Sequence, residues 1–212
     1  MTHKQPPSEP HREPSAESDG GQSPSGEQQS HLSPQIWVGS LADYNNGDLH
    51  GQWLDAAREP EEIHADIQAM LARGPAARRG KAPEEWGIFD YEDFGNLHLG
   101  EYEPIEDVAR LAAGIVEHGP AFAAWAETRG REHAIIEDFS EAYCGRFDSA
   151  ADNAEQLVDD LEGDELLEQA LPEWLQPYVE IDYDSLARDM ELGGDILTAP
   201  AEDGGVYIYN AI

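Results

Sequence analysis

The sequence predicts an α+β fold of three small units in series behind a disordered tail, the last unit strongly acidic. Three observations carry this reading. Short runs of β-branched and aromatic residues bounded by Asn-Gly and Gly turns read as strands near both ends of the ordered chain. Between them, apolar residues recur at helical spacing from Pro104 onward. The acids, finally, crowd into the residues after 140.

Residues 1–33 are rich in Ser, Pro, Gln, Glu and Gly and carry no aromatic or β-branched side chain after Thr2, so they cannot bury enough surface to order themselves. Residues 34–99 predict a small α+β unit. Ile36–Leu41 reads as a strand, Asn45-Asn46-Gly47 as a turn whose Gly supplies positive φ, and Leu49–Leu54 as the antiparallel return. Pro60 suits the first turn of a helix, Glu61 and Glu62 suit its positive end, and Ile63, Ile67, Met70 and Leu71 form one apolar stripe that stops at Gly74. Trp86–Tyr91 reads as a further strand. In residues 100–140 the spacing is helical throughout. Ile105, Val108, Leu111, Ala112, Ile115 and Val116 share a face up to Gly119-Pro120; a second helix carries Phe122, Trp125 and Ala126 to near Gly130; a third carries Ile135, Ile136, Phe139 and Tyr143.

Residues 141–212 form the acidic unit. Ile135–Leu171 reads as two helical patterns joined by a turn. Ser149 serves as an N-cap with Asp152 as its capping-box partner, and Ala154, Leu157, Val158 and Leu161 then fall on one side before Gly163 stops the helix. The other side carries Asp152, Glu155, Asp159 and Glu162, and Asp160, Asp164, Glu165 and Glu168 extend the same surface. Residues three or four apart stand about 5 Å apart along a helix axis, so the row resembles the charge spacing of a phosphate strand. Downstream come a Pro172–Pro177 connection holding Trp174, a helix through Tyr183 and Met190, and a strand at Val206–Tyr209, with Gly193-Gly194 and Gly204-Gly205 as turns.

The whole chain holds 45 acids against 12 bases, a net charge of −33. That balance excludes the usual nucleic-acid binder, which presents a basic surface. Residues 141–212 contain 19 acids and 2 bases, more than half of the net charge. Adaptation to a salty solvent would spread the acids more evenly, so the clustering favours a basic partner, while a salt-adapted source stays open as an alternative. Cys144 is the single cysteine and can form no intramolecular disulfide; its acidic setting raises the thiol pKa, and a buried structural role is expected. No apolar run approaches the roughly 20 residues of a membrane span and no signal-peptide pattern occurs, so a cytoplasmic protein without a membrane partner is expected.

No catalytic or cofactor pattern emerges. With 45 acids, a carboxylate pair at any spacing carries no information. Asp159–Glu165 has the acid density of a calcium site but not the alternating ligands and central Gly of an EF-hand loop. His50, His64, His98, His118 and His133 offer no i, i+4 pair, and no G-x-S-x-G or phosphate-binding glycine loop is present. The expectation is a protein that is not an enzyme, with no metal and no cofactor.

Two stretches together resemble the ArdA antirestriction family. Residues 34–55, PQIWVGSLADYNNGDLHGQWLD, are similar to the family's opening, a strand followed by L-x-x-Y-N-x-G-x-x-x-G-x-W. Residues 141–155, EAYCGRFDSAADNAE, look like its antirestriction motif, with Tyr143, Gly145, Phe147, Ser149, Asp152, Ala154 and Glu155 in register and Asn153 where an aromatic is usual. A weaker match continues through Pro172, Leu175, Tyr178, Asp182, Tyr183, Ala187, Arg188 and Asp189 to the last strand. The resemblance implies an elongated, curved DNA mimic of three small domains, usually a two-fold dimer, whose carboxylates stand in for the phosphates of bent B-form DNA. It implies a type I restriction-modification complex as partner, engaged at the DNA groove of its specificity and methyltransferase subunits, and it implies that Tyr143, Gly145, Phe147 and Ser149 lie at the dimer contact. From the residues alone, a generic acidic adaptor that binds a basic DNA-binding regulator also remains open.

Overall fold

The computed structural model describes residues 32–211, so the expected tail at 1–33 lies almost wholly outside the described residues. The fold is mixed α+β: among the described residues, nine α-helices pack around two three-stranded antiparallel sheets.

In the first sheet β1 (Gln35–Ser40) lies between β2 (Gly51–Asp55) and β3 (Trp86–Glu92). Strand alternation sorts the side chains: Ile36, Val38, Leu54 and Ile88 are buried, and the neighbouring positions Trp37, Trp53 and Phe89 stand on the opposite face. There the Trp37 and Phe89 rings meet at 5.6 Å, and Gly51 is needed beneath them because a Cβ would lie 2.5 Å from the Trp37 ring. The hairpin forms as expected, except that Leu41 leaves the strand to open a one-turn helix, α1 (Leu41–Tyr44), capped by Ser40. Asp43 in that turn is fully buried, and its carboxylate accepts from the Ala76 amide at 2.6 Å and lies 3.5 Å from Arg79. This ties α1 to α3 (Pro75–Arg78), a short helix absent from the sequence reading. Between them α2 (Pro60–Arg73) runs from Pro60 to its cap at Gly74 and buries Ile63, Ile67, Met70 and Leu71 as the stripe predicts.

α4 (Ile105–His118) buries the expected face apart from Val116, which is exposed. Gly119, at φ 69°, turns the chain so that Pro120 can open α5 (Pro120–Arg129). Every residue of α5 from Ala121 to Ala126 is buried, because four alanines let neighbours approach on all sides. Phe122 and Trp125 fill the remaining space with Phe139 of α6 (Ile136–Ala142).

The second sheet has the order β4-β6-β5, with β4 (Tyr143–Phe147) and β5 (Ile196–Pro200) flanking β6 (Val206–Asn210). Ala199, Tyr207 and Tyr209 join the core around α5, where the Tyr209 hydroxyl donates to the Ala121 carbonyl at 2.8 Å. Ile196 and Ile208, on the alternate positions, are buried on the side covered by α7 (Ala150–Asp160) and α9 (Tyr183–Gly193). Most of the buried apolar side chains form one cluster from Ile36 to Tyr209, while Ala154, Ala187, Ile196 and Ile208 lie outside it.

Three local expectations are corrected. α6 ends at Ala142, and Tyr143 opens a strand that pairs with Tyr209; Ile135–Leu171 therefore holds α6, β4, α7 and α8 (Gly163–Ala170) rather than two helices. β5 has no counterpart in the sequence reading. Cys144 is exposed on β4, not buried. Its sulfur nevertheless sits at a hollow shared with Phe147, Leu157 and Met190, and this local loss of solvent, opposed by a backbone bond from Asn210, pushes the thiol up. Desolvation, rather than the neighbouring acids, is the cause.

Candidate functional site

The acidic surface is built from a well-specified helix start. Ser149 Oγ accepts from the Asp152 amide at 3.2 Å and the Asp152 carboxylate accepts from the Ser149 amide at 2.8 Å, completing the capping box. Ala154 is fully buried against the second sheet, but Leu157 and Leu161 are exposed, so the buried side of α7 is narrower than its apolar spacing predicts. The helix ends at Asp160, and the residue that turns the chain is Glu162 (φ 55°, ψ 37°) in the left-handed region, not Gly163. Gly163 is instead the first residue of α8, where a Cβ would stand 2.4 Å from Val158 Cγ1. The glycine serves a close approach, and the acid takes the strained conformation.

This tight corner brings the acids of two helices together. Asp159, Glu162, Asp164 and Glu165 line one open hollow of about 240 Å³. Tyr183, the first residue of α9, feels three of the acids directly: loss of solvent, then Asp164, Asp159 and Glu155, push its phenol up. All eight acids expected at the surface, Asp152, Glu155, Asp159, Asp160, Glu162, Asp164, Glu165 and Glu168, are exposed. Asp152 has a second occupation, because its carboxylate is committed to the helix cap.

The surface also lies in a stretch without bases, whereas earlier in the chain arginines pair with some of the acids. The pairs are Arg58 with Asp66 at 2.7 Å, Arg79 with Asp48 at 2.9 Å, Arg110 with Asp107 at 2.9 Å and Arg131 with Glu103 at 3.2 Å. Arg146 is held by Asp203 and Asp148, which keep it firmly protonated. The chain then has no Lys or Arg before Arg188. Among the described residues, no ion pair engages Glu155, Asp159, Asp160, Glu162, Asp164, Glu165 or Glu168.

The four motif residues meet one another around β4. Tyr143 is half-buried and stacked on Phe139 at 5.0 Å, with Tyr209 at 5.7 Å. Gly145 takes φ 141° opposite Ile208, and Phe147 borders a hollow of about 220 Å³ together with Asn153 and Leu157. Ser149 then caps α7, so the motif joins the sheet to the acidic helix, and β4 is an outer strand of that sheet. The sequence reading missed the influence of Asp164, Asp159 and Glu155 on Tyr183, and it missed the exposure of Leu161, Leu166, Trp174 and Tyr178. Their signal was available as large apolar residues scattered through the acid-rich stretch.

Among the described residues, no group of three or more His, Cys, Asp or Glu is arranged to hold a metal ion, and no helix is long and apolar enough to cross a membrane. The chemistry this surface offers is a broad, ordered field of negative charge. No curated protein matches the chain. The family model described as antirestriction protein (ArdA) matches residues 36–204, from β1 to the turn before β6. With the opening motif, the β4–α7 motif and most of the fold inside that match, the chain belongs to the ArdA family of antirestriction proteins.

Proposed function

We propose that the protein blocks type I restriction-modification enzymes by offering carboxylates, in place of DNA phosphates, to the DNA groove of their specificity and methyltransferase subunits. The observation that carries this reading is the uncompensated, exposed acids of α7 and α8 on an ordered scaffold. A groove that binds duplex DNA must answer about one negative charge per 1.7 Å of helix axis with Lys and Arg. A folded protein bearing carboxylates competes for those side chains without any base-edge readout. It also avoids the cost of bending DNA, on the order of 1–6 kcal/mol for a smooth bend. Association is then fast and weakens with salt. The outer position of β4 supports a two-fold dimer through the segment of Tyr143, Gly145, Phe147 and Ser149.

The test is competition. The purified protein is titrated against a labelled duplex bound to a type I methyltransferase core at low and high salt. Displacement that weakens as salt rises is the expected result; no displacement at any salt refutes the reading for that enzyme and moves a basic regulator to the front as partner.

A further inference from the structure

We propose that α8 and the turn after it form an apolar anchor inside the acidic surface, seated in an apolar pocket of a protein partner ringed by Lys and Arg. α8 carries leucines on one side, yet none of its residues is buried. Leu166 is 58% exposed, Leu161 64%, Trp174 72% and Tyr178 80%. Together they put four exposed large apolar side chains between residues 161 and 178. Single exposed leucines need no explanation, but four large apolar side chains exposed within one short segment do.

The set is held in place rather than loose. The Gln176 side-chain amide donates to the Glu168 carbonyl at 2.9 Å and to the Leu171 carbonyl at 3.4 Å, folding the turn that bears Trp174 and Tyr178 back onto the end of α8. Glu162, Asp164, Glu165, Glu168 and Glu173 are interleaved with these side chains and exposed. Charge decides the occupant. With no base between Arg146 and Arg188, a second copy laid on the same patch would set carboxylates against carboxylates, and a nucleic acid has the wrong sign. A basic protein surface is complementary, and an aromatic anchor ringed by charges is the arrangement that concentrates binding energy at protein interfaces. The inference rests on the proposed function for the partner's basic character and adds to it a second, salt-independent source of affinity.

The two sources separate in a salt series. The number of paired charges sets the slope of log affinity against log salt, whereas buried apolar anchors shift the whole line. Affinity for a type I methyltransferase core is measured from about 50 to about 200 mM salt for four proteins. These are the unaltered chain, the triple variant Leu166→Ala/Trp174→Ala/Tyr178→Ala, the pair Glu165→Gln/Glu168→Gln, and Leu49→Ala as an exposed control outside the patch. The triple variant is expected to bind roughly 30-fold more weakly, about 2 kcal/mol, at every salt with the slope unchanged. The acid pair is expected to flatten the slope, and the control to coincide with the unaltered chain. Thermal melts check that the triple variant folds, and a fifth protein measured alongside, Trp174→Phe, which keeps an apolar ring, is expected to retain most of the affinity. If the unaltered chain binds and the triple variant matches it at every salt, the anchor is overturned while the proposed function stands. If the unaltered chain does not bind, both fall.

Discussion

Neutralising Asp159 should make the protein more stable at low salt, the reverse of what loss of a native polar group usually does. Asp159 lies four residues after Glu155 on α7, and it sits in the last turn of that helix, where no base offsets the negative helix end. A like-charge pair at that spacing costs about 0.2–0.5 kcal/mol, and an acid at a helix C-terminus a further 0.3–1 kcal/mol or so. Asp159→Asn should therefore recover on the order of 1 kcal/mol, seen as a rise of about 2–4 °C in Tm for a chain of this size. At about 1 M salt, where the screening length falls to about 3 Å, the gain should nearly vanish. Asp152→Ala is the internal contrast. It removes the capping carboxylate at 2.8 Å from the Ser149 amide, so Tm should fall by a similar amount, and at both salts. Circular dichroism melts of the three proteins at two salts suffice. An Asp159→Asn variant that melts lower than the unaltered chain at low salt would refute the argument, since the acid would then be contributing to the fold instead of straining it.

Two further outcomes follow from local geometry. Glu162→Gly should raise Tm, because a non-glycine residue at φ 55° gives up about 1 kcal/mol that glycine does not, offset in part by the entropy of the unfolded glycine; a fall in Tm would mean that the Glu162 side chain makes a compensating contact. Asp43→Ala should cost about 2–3 kcal/mol by leaving the buried Ala76 amide without its acceptor, read as a lower urea midpoint with an unchanged m-value. A shift below about 0.5 kcal/mol, the size of an ordinary surface change, would show that water replaces the carboxylate.

The parts of this molecule that were legible in its sequence are those decided within a few residues. Pro60 and Gly74 bound α2, Gly119-Pro120 separates α4 from α5, and Ser149 with Asp152 starts α7, all as local chemistry dictates. β4 was not legible. Tyr143–Phe147 follows α6 without a break, and what makes it a strand is pairing with Val206–Tyr209, some sixty residues later. β5 was hidden for the same reason, its Ile-Leu-Thr-Ala-Pro gaining strand character only against β6. The acids of the proposed surface were visible as a row, and the capping role of Asp152 with them, but one of their properties was not. That the other acids have no arginine partner depends on where Arg146 and the other bases go in space. Leu157, Leu161 and Leu166 satisfy a helical apolar pattern whether or not anything covers them, so the pattern alone reads them as core.

The strand order β4-β6-β5 also bears on how the chain comes into being. Both flanking strands pair only with β6, the last strand of the described chain, and β6 also supplies the Tyr209 hydroxyl that reaches α5. During synthesis the first sheet and α4–α5 can assemble as they emerge, but α7 has no completed platform until β6 has been made. Within the described chain the carboxylate surface is therefore the last region to mature, and a nascent chain stalled before Val206 carries the charges without the geometry that organises them.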